Sequence, residues 1–583
     1  MYIRSKSRHE DGVHHRYFSI VESVRLPSGN SVQRQVLYLG EINNSQRASW
    51  THAIEVITGK TESRQMALFP DDRKVPELPF ESIRIRVDDM ELHRPRQWGA
   101  CWLALTVWKY LGLDGFWKER LPSSRQGTCW LDILKIQACY RLIDPGSEWR
   151  LYRRWYGNSA MRDLPGLDPV IPKDAFYRVL DRLDAHRRDF FSFLKERWGT
   201  LFGARYEVLL YDLTSTCFES DPPFTDKRQF GYSRDKRSDC VQVVIALMVT
   251  PEGFPVACEV MPGNTSDKTT LLDFMRRVEA QYGRSERVWV MDRGIPTEEA
   301  LEVMRADPSG LRYRVGTPKG RLGKREQSFL KRPWQSVRDS LKVKLHQEEE
   351  GEEVYILVRS EGRILKERGM RRRRLKKLWK RLHGLRQQTN SRDQLQRKLG
   401  AAQKEAGRAW HLVEIQVAPD DGRQPGSFTF HLRREKLRQT IRREGRYLLR
   451  SNITDTDPAE LWKQYMQLSE VEQAFKELKH SLSIRPIHHQ TEKRIEAHIF
   501  LSFIAYCLHV TLKNLAKRHA SGLTPREIIE KFATMQMVDV HLPTSDGRCL
   551  VMPRYTQPNQ DHQLLLHQLG LKLPDQPRPR LQV

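Results

Sequence analysis

Two apolar runs with strand character each carry an aspartate. Asp212 lies inside VLLYDLT, and Asp292 ends VWVMD just before Arg293-Gly294. Aspartate is depleted from strands, so both positions call for a reason. Singly, each would ordinarily be a turn or cap residue. Downstream, the run YMQLSEVEQAFKELKHSL has helical periodicity and sets Tyr465, Glu472 and Lys479 seven residues apart. Seven residues is two helical turns less about 20°, so the three side chains are expected on one helix face. Val471, Ala474, Phe475, Leu478 and Leu482 form an apolar stripe that Glu472 borders. Glu470 and Glu477 point elsewhere. A chain so built is expected to bring strand ends and a helix edge together.

Two strand aspartates and a helix glutamate make an all-oxygen set suited to hard divalent cations. Two Mg2+ ions, replaceable by Mn2+, would clamp the attacking and leaving oxygens of a phosphoryl displacement. Asp212, Asp292 and Glu472 are therefore the expected metal ligands and catalytic residues. Lys479 is expected to neutralise a phosphate, and Tyr465 to pack on a sugar or bond a phosphate. Without the aspartates, the helix face would read equally well as a solvated Glu–Lys surface.

Charge agrees. The chain has 583 residues, 99 Lys and Arg against 73 acids, and a net charge of +26. That surplus points to a polyanion, nucleic acid first, over a basic protein without such a partner. Residues 363–398 alone hold 15 Lys/Arg and two acids. Arg371, Arg372, Arg373, Arg374, Lys376 and Lys377 are its expected DNA contacts, rather than a merely solvated basic helix. Trp379 offers a ring on which a base could stack.

Other classes find no support. The eight cysteines form no CxxC pair, which suits a reducing cytosol. The N-terminus lacks a signal-type apolar region. The most apolar run, 499–512, is too short to span a membrane and reads as a buried core helix. His488 and His489 are adjacent, so their side chains point apart; both are expected to be structural or phosphate-facing. Asn264, Ser266 and Asp267 read as a turn and helix cap.

These segments resemble the DDE transposases of bacterial insertion sequences, in the insertion-sequence-four superfamily. YDLTST matches that family's first motif and VMDRGI its second. The Tyr-x2-Arg-x3-Glu-x6-Lys signature falls on Tyr465, Leu468, Glu472 and Lys479, with leucine in place of the family arginine. Residues 231–271 resemble the segment joining the two aspartates. The likeness runs from about 205 to 512, and more weakly through 536–555. It implies a ribonuclease-H-like α/β catalytic core interrupted by a β-rich insertion. Asp292 and Glu472, 180 positions apart, leave room for one. It also implies strand cleavage followed by joining to target DNA, double-stranded DNA as partner, a homodimer on that DNA, and a cytoplasmic, nucleoid-associated site of action. The rivals are a metal-dependent endonuclease that does not join, and a transposase-derived DNA-binding protein without catalysis.

The expected organisation is as follows. Residues 1–95 hold a β-hairpin, a helix and a linker with a DNA-binding role, and 96–202 a helical domain. Residues 203–317 and 441–515 form the two parts of the core. Residues 318–440 are the insertion with its basic helical segment, and 516–583 a C-terminal region with a frayed Pro-rich end.

Overall fold

The computed structural model describes residues 2–10, 13–25, 31–40, 42, 85–164, 171–218, 225–233, 237, 239–266, 270–283, 287–308, 310–317, 327–330, 332–347, 353–388, 391–418, 427–454 and 457–582. The helix expected at 43–59 and Asp267 lie outside them. The chain divides into two compact units, Met1–Ser285 with Leu468–Val583, and Glu286–Gln467.

In the first unit, strands Tyr2–Glu10, Val13–Arg25 and Ser31–Gly40 form an antiparallel meander. The hairpin read from the sequence is its second and third strands; the first was not anticipated. Period-two alternation buries Phe18 and Ile20 on one strand, and Leu37 and Leu39 on the next. Helices Gly99–Tyr110 and Trp130–Ile143 pack on the long helix Glu492–His519. That helix is long and apolar enough to cross a membrane, but 94% of its apolar window is buried within the protein. It is the core helix that the run 499–512 predicts.

The same unit holds three antiparallel strands, Val208–Cys217, Gln242–Val249 and Pro255–Pro262. The middle one, QVVIALMV, is buried at every position. A continuous apolar run is what a strand covered on both faces needs. Helix Leu271–Tyr282 follows.

Two stretches differ from expectation. The linker expected at the end of residues 1–95 instead holds the start of a strand, Glu91–Gln97, paired with Gln536–Pro543. Charge misled the reading here. Arg96 is buried, and its guanidinium bonds Asp163 at 2.7 Å and Asp539 at 2.9 Å, so its charge is satisfied inside. The C-terminal end is not frayed either. Arg580–Gln582 pairs with Cys549–Val551, and Gln576 exchanges hydrogen bonds with the Tyr555 backbone at 3.1 and 2.9 Å.

In the second unit, the strand order is Gln335–Arg338, Leu341–Gln347, Val354–Ser360, Arg446–Ser451, Arg312–Thr317, Val288–Met291. The last pair is parallel, joined by helix Glu298–Ala306, and the rest are antiparallel. Helices Glu361–Arg386 and Arg392–Ala406 pack with the hairpin Val413–Val417/Phe428–Leu432 around Leu378, Leu382, Leu395 and Phe428. Ser391 starts the second helix with a capping box to Gln394. Along the chain, three antiparallel strands are followed by helix, strand, helix and parallel strand. This is the element order of a ribonuclease-H-like core, so the mixed α/β class expected from sequence is the observed one.

Candidate active site

Asp212 sits mid-strand in Val208–Cys217, half-buried between buried Tyr211 and Leu213. The Leu213 backbone N–H donates to its Oδ1 at 2.8 Å. Helix Leu468–Lys476 packs on this strand and on Gln242–Val249 through Leu468, Val471, Ala474 and Phe475. Its apolar stripe therefore faces the strand that carries Asp212.

The structure separates three acids on that helical stretch. Glu470 is paired with Lys513 at 2.7 Å. Glu477 accepts from the Gln473 amide at 2.5 Å and lies 3.6 Å from His509 Nε2. Glu472 is exposed and has no hydrogen bond or ion pair among the described residues.

Tyr465, Glu472 and Lys479 do not share one regular helix. Pro458–Met466 ends at Gln467, Leu468–Lys476 follows, and Lys479 lies in a π-helical turn, Glu477–Ser481. The sequence pattern cannot report such a break, because Gln467 and Lys476 keep right-handed helical dihedrals. The first of these helices starts as its sequence predicts: Asp457 accepts from Ala459 N at 3.3 Å, with Pro458 at the first position.

In the second unit, Asp292 follows strand Val288–Met291 and is exposed. Tyr465 donates its hydroxyl to Asp292 Oδ1 at 3.3 Å. Burial, and then the Asp292 charge, raise the Tyr465 hydroxyl pKa well above its usual value, so it stays a donor. Gly316, on the parallel strand, makes the room. A Cβ there would lie 2.5 Å from the Tyr465 hydroxyl oxygen and 3.2 Å from Arg293 Cβ. Neither this contact nor the role of Gly316 was legible in the sequence.

On helix Glu361–Arg386, Arg372, Arg373, Arg374, Lys376 and Lys377 are exposed. Arg371 is different: it bonds buried Glu444 at 2.6 Å, with Arg368 at 3.4 Å from the same carboxylate. Trp379 is half-buried, its ring 4.9 Å edge-on from Phe430. It packs the helix against the hairpin, and its ring is not the open stacking surface that the sequence suggested.

A second cluster of ionisable groups lies in the first unit. Glu148, His489 and His498 bring ligand-type atoms within 4.8 Å of one another, and all three are buried. Arg141 occupies this cluster. It bonds Glu148 Oε1 at 3.1 Å, His498 Nδ1 at 3.0 Å and the Ser483 carbonyl at 3.1 Å. Burial opposes ionisation of Glu148, but His489 and His498, 3.6 and 3.7 Å from its oxygens, and the Arg141 charge hold its carboxyl well below the usual range. Burial, reinforced by Arg141, pushes His498 down to about 4. A guanidinium already supplies the cation here, so the donor set suits an internal ion-pair network better than a metal. His489 is thus structural, while His488 is exposed.

The order of the core elements is compatible with a DDE-type nucleic-acid enzyme. Residues 204–508 match the Transposase DDE domain, more than half of the chain, and the protein belongs to that family. It is a DDE transposase by family. No curated protein matches it by sequence. Among solved structures, it is similar to a piggyBac transposase in a synaptic complex with hairpin DNA. That likeness has 10% identity and a TM-score of 0.36, over 74% of this chain and 79% of the other.

Proposed function

We propose that the protein is an insertion-sequence transposase of the bacterial insertion-sequence-four type, which cuts its element's ends and joins them to target DNA. The observation that carries this reading is Glu472. It alone of three neighbouring acids is left without a partner among the described residues, on a helix packed against the Asp212 strand. The family match spans Asp212, Asp292 and Glu472.

The three carboxylates suit Mg2+ or Mn2+, since their donor atoms are all oxygens and Asp292 and Glu472 face solvent. When bound, two such ions would supply Lewis-acid activation of the nucleophile and leaving oxygen. Tyr465, held protonated, orients Asp292 through its hydrogen bond. Lys479 and the exposed Arg372, Arg373, Arg374, Lys376 and Lys377 contact DNA phosphates, with Arg371 bracing their helix through Glu444. The active form on DNA is a homodimer, and it works at the bacterial nucleoid.

The test is a strand-transfer assay with Mg2+ and DNA cloned from either side of the protein's own coding sequence. Joined products support the proposal. Hydrolysis without joining would make the protein an endonuclease, and binding without cleavage an inactive relative.

A further inference from the structure

The helical stretch that carries Glu472 and Lys479 is held along one side by the core helix Glu492–His519. Lys513 pairs with Glu470 at 2.7 Å, and His509 Nε2 lies 3.6 Å from Glu477. Further along, His498 Nε2 lies 3.2 Å from the Ile484 carbonyl oxygen. His498, His509 and Lys513 fall within about 60° of one another around their helix, so they make one polar face. The two segments run antiparallel, since 513, 509 and 498 meet 470, 477 and 484 in that order. The Lys513–Glu470 end is half-exposed and open to screening by salt, whereas His498 and Ile484 are buried.

The buried end has a second anchor. Just after the π-helical turn Glu477–Ser481 the chain reverses, and the Leu482 and Ile484 N–H groups donate back to the Glu477 and Leu478 carbonyls, both at 2.9 Å. Between them Ser483 has a φ of 43°, a left-handed conformation that a side chain disfavours. Such a residue persists where its surroundings hold it. Here the holding group is Arg141, which reaches from helix Trp130–Ile143 and donates to the Ser483 carbonyl at 3.1 Å. The same guanidinium bonds Glu148 and His498. The carbonyls of residues 483 and 484 are therefore gripped by two side chains tied to one buried carboxylate.

We propose that Arg141 is a positioning residue for the catalytic stretch. By fixing the reversal at Ser483 it sets where Lys479 and Glu472 are presented. Arg141 acts through the backbone and touches neither DNA nor metal. The role given to Glu472 and Lys479 rests on the transposase reading above; the grip on Ser483 does not. A lysine at position 141 keeps a cation beside Glu148 but lacks the planar fork, so it cannot also span the Ser483 carbonyl and His498.

The test compares Arg141→Lys with Arg96→Lys in the full chain, at a temperature where both are folded. Arg96 is a buried arginine of the same unit whose partners are Asp163, Asp539 and the Arg94 carbonyl. Amide hydrogen exchange at Leu482 and Ile484 should be at least about tenfold faster in Arg141→Lys and unchanged in Arg96→Lys. With the element-end DNA of the assay above and Mn2+, Arg141→Lys should slow cleavage at saturating DNA by about tenfold or more. It should also raise the Mn2+ concentration for half-maximal rate and leave the DNA Kd unchanged. Arg96→Lys should move none of these. Ser483→Pro holds φ near about −65°, breaks the turn without touching a buried charge, and should reproduce the loss of rate. Full-rate cleavage by Arg141→Lys, an equal loss in Arg96→Lys, or unchanged exchange at Leu482 and Ile484 would overturn the proposal. An unaltered protein that cuts no DNA, with exchange still faster in Arg141→Lys, would leave the grip on Ser483 standing and sink the transposase reading instead.

Discussion

Glu148 and Glu472 are both acids on helices of the same compact unit, and they have opposite surroundings. Glu148 is buried among Arg141, His489 and His498 and is saturated with partners. Glu472 is exposed and has none among the described residues. On the proposed reading, density of ionisable groups does not mark the catalytic site. The Glu148 cluster is the denser one, yet its cation is an arginine and its role is to hold structure.

The comparison breaks first on stability. Glu148→Ala leaves Arg141 buried without its carboxylate and should destabilise the protein by about 3–5 kcal/mol. Glu472→Ala should change stability by no more than about 0.5 kcal/mol, as an exposed, unpaired position. Urea melts of the two variants check this, and equal losses would erase the distinction.

The pH dependence sharpens it. The unfolded chain protonates His498 near the ordinary 6.5, but the folded chain resists until about 4. Within that window the unfolded state binds more protons, so stability falls as pH drops from about 6.5 to 4. The full loss from this residue is roughly 3 kcal/mol. His498→Gln should flatten the melting temperature across the window; an unchanged slope would mean that other groups set it.

Smaller effects are expected at the surface. Replacing Arg372, Arg373, Arg374 and Lys376 by Ala should flatten the salt dependence of DNA affinity by up to about 4 log units per log salt if each touches a phosphate. Filter binding between low and moderate salt measures this. Arg371→Ala should instead act on stability, through Glu444. Smallest of all, Glu470→Ala removes only a half-exposed pair with Lys513 and should cost about 0–1 kcal/mol, with cleavage intact.

The parts legible in sequence are those written in local pattern. The apolar strands at 208–217, 242–249 and 288–291, the capped start at Asp457-Pro458 and the buried helix over 499–512 follow from periodicity and turn chemistry. Glu472 was separable from Glu470 and Glu477 because helical geometry turns them apart. What escaped depends on distant partners. Arg96 belongs to a strand only because Asp163 and Asp539 meet it. Arg371 and Trp379 look like DNA contacts until Glu444 and Phe430 are found beside them. Gly316 matters only because Tyr465 reaches across to Asp292. The helix break at Gln467 leaves no trace in the apolar stripe.

The central claim is that Asp212, Asp292 and Glu472 act as one metal-binding set. Its most direct test is strand cleavage of element-end DNA by the three single alanine variants in Mg2+, with Glu470→Ala as control. The account predicts that each of the three loses cleavage and joining while still binding DNA, and that Glu470→Ala keeps both. Cleavage by Glu472→Ala, or cleavage by the unaltered protein in excess chelator, would contradict it.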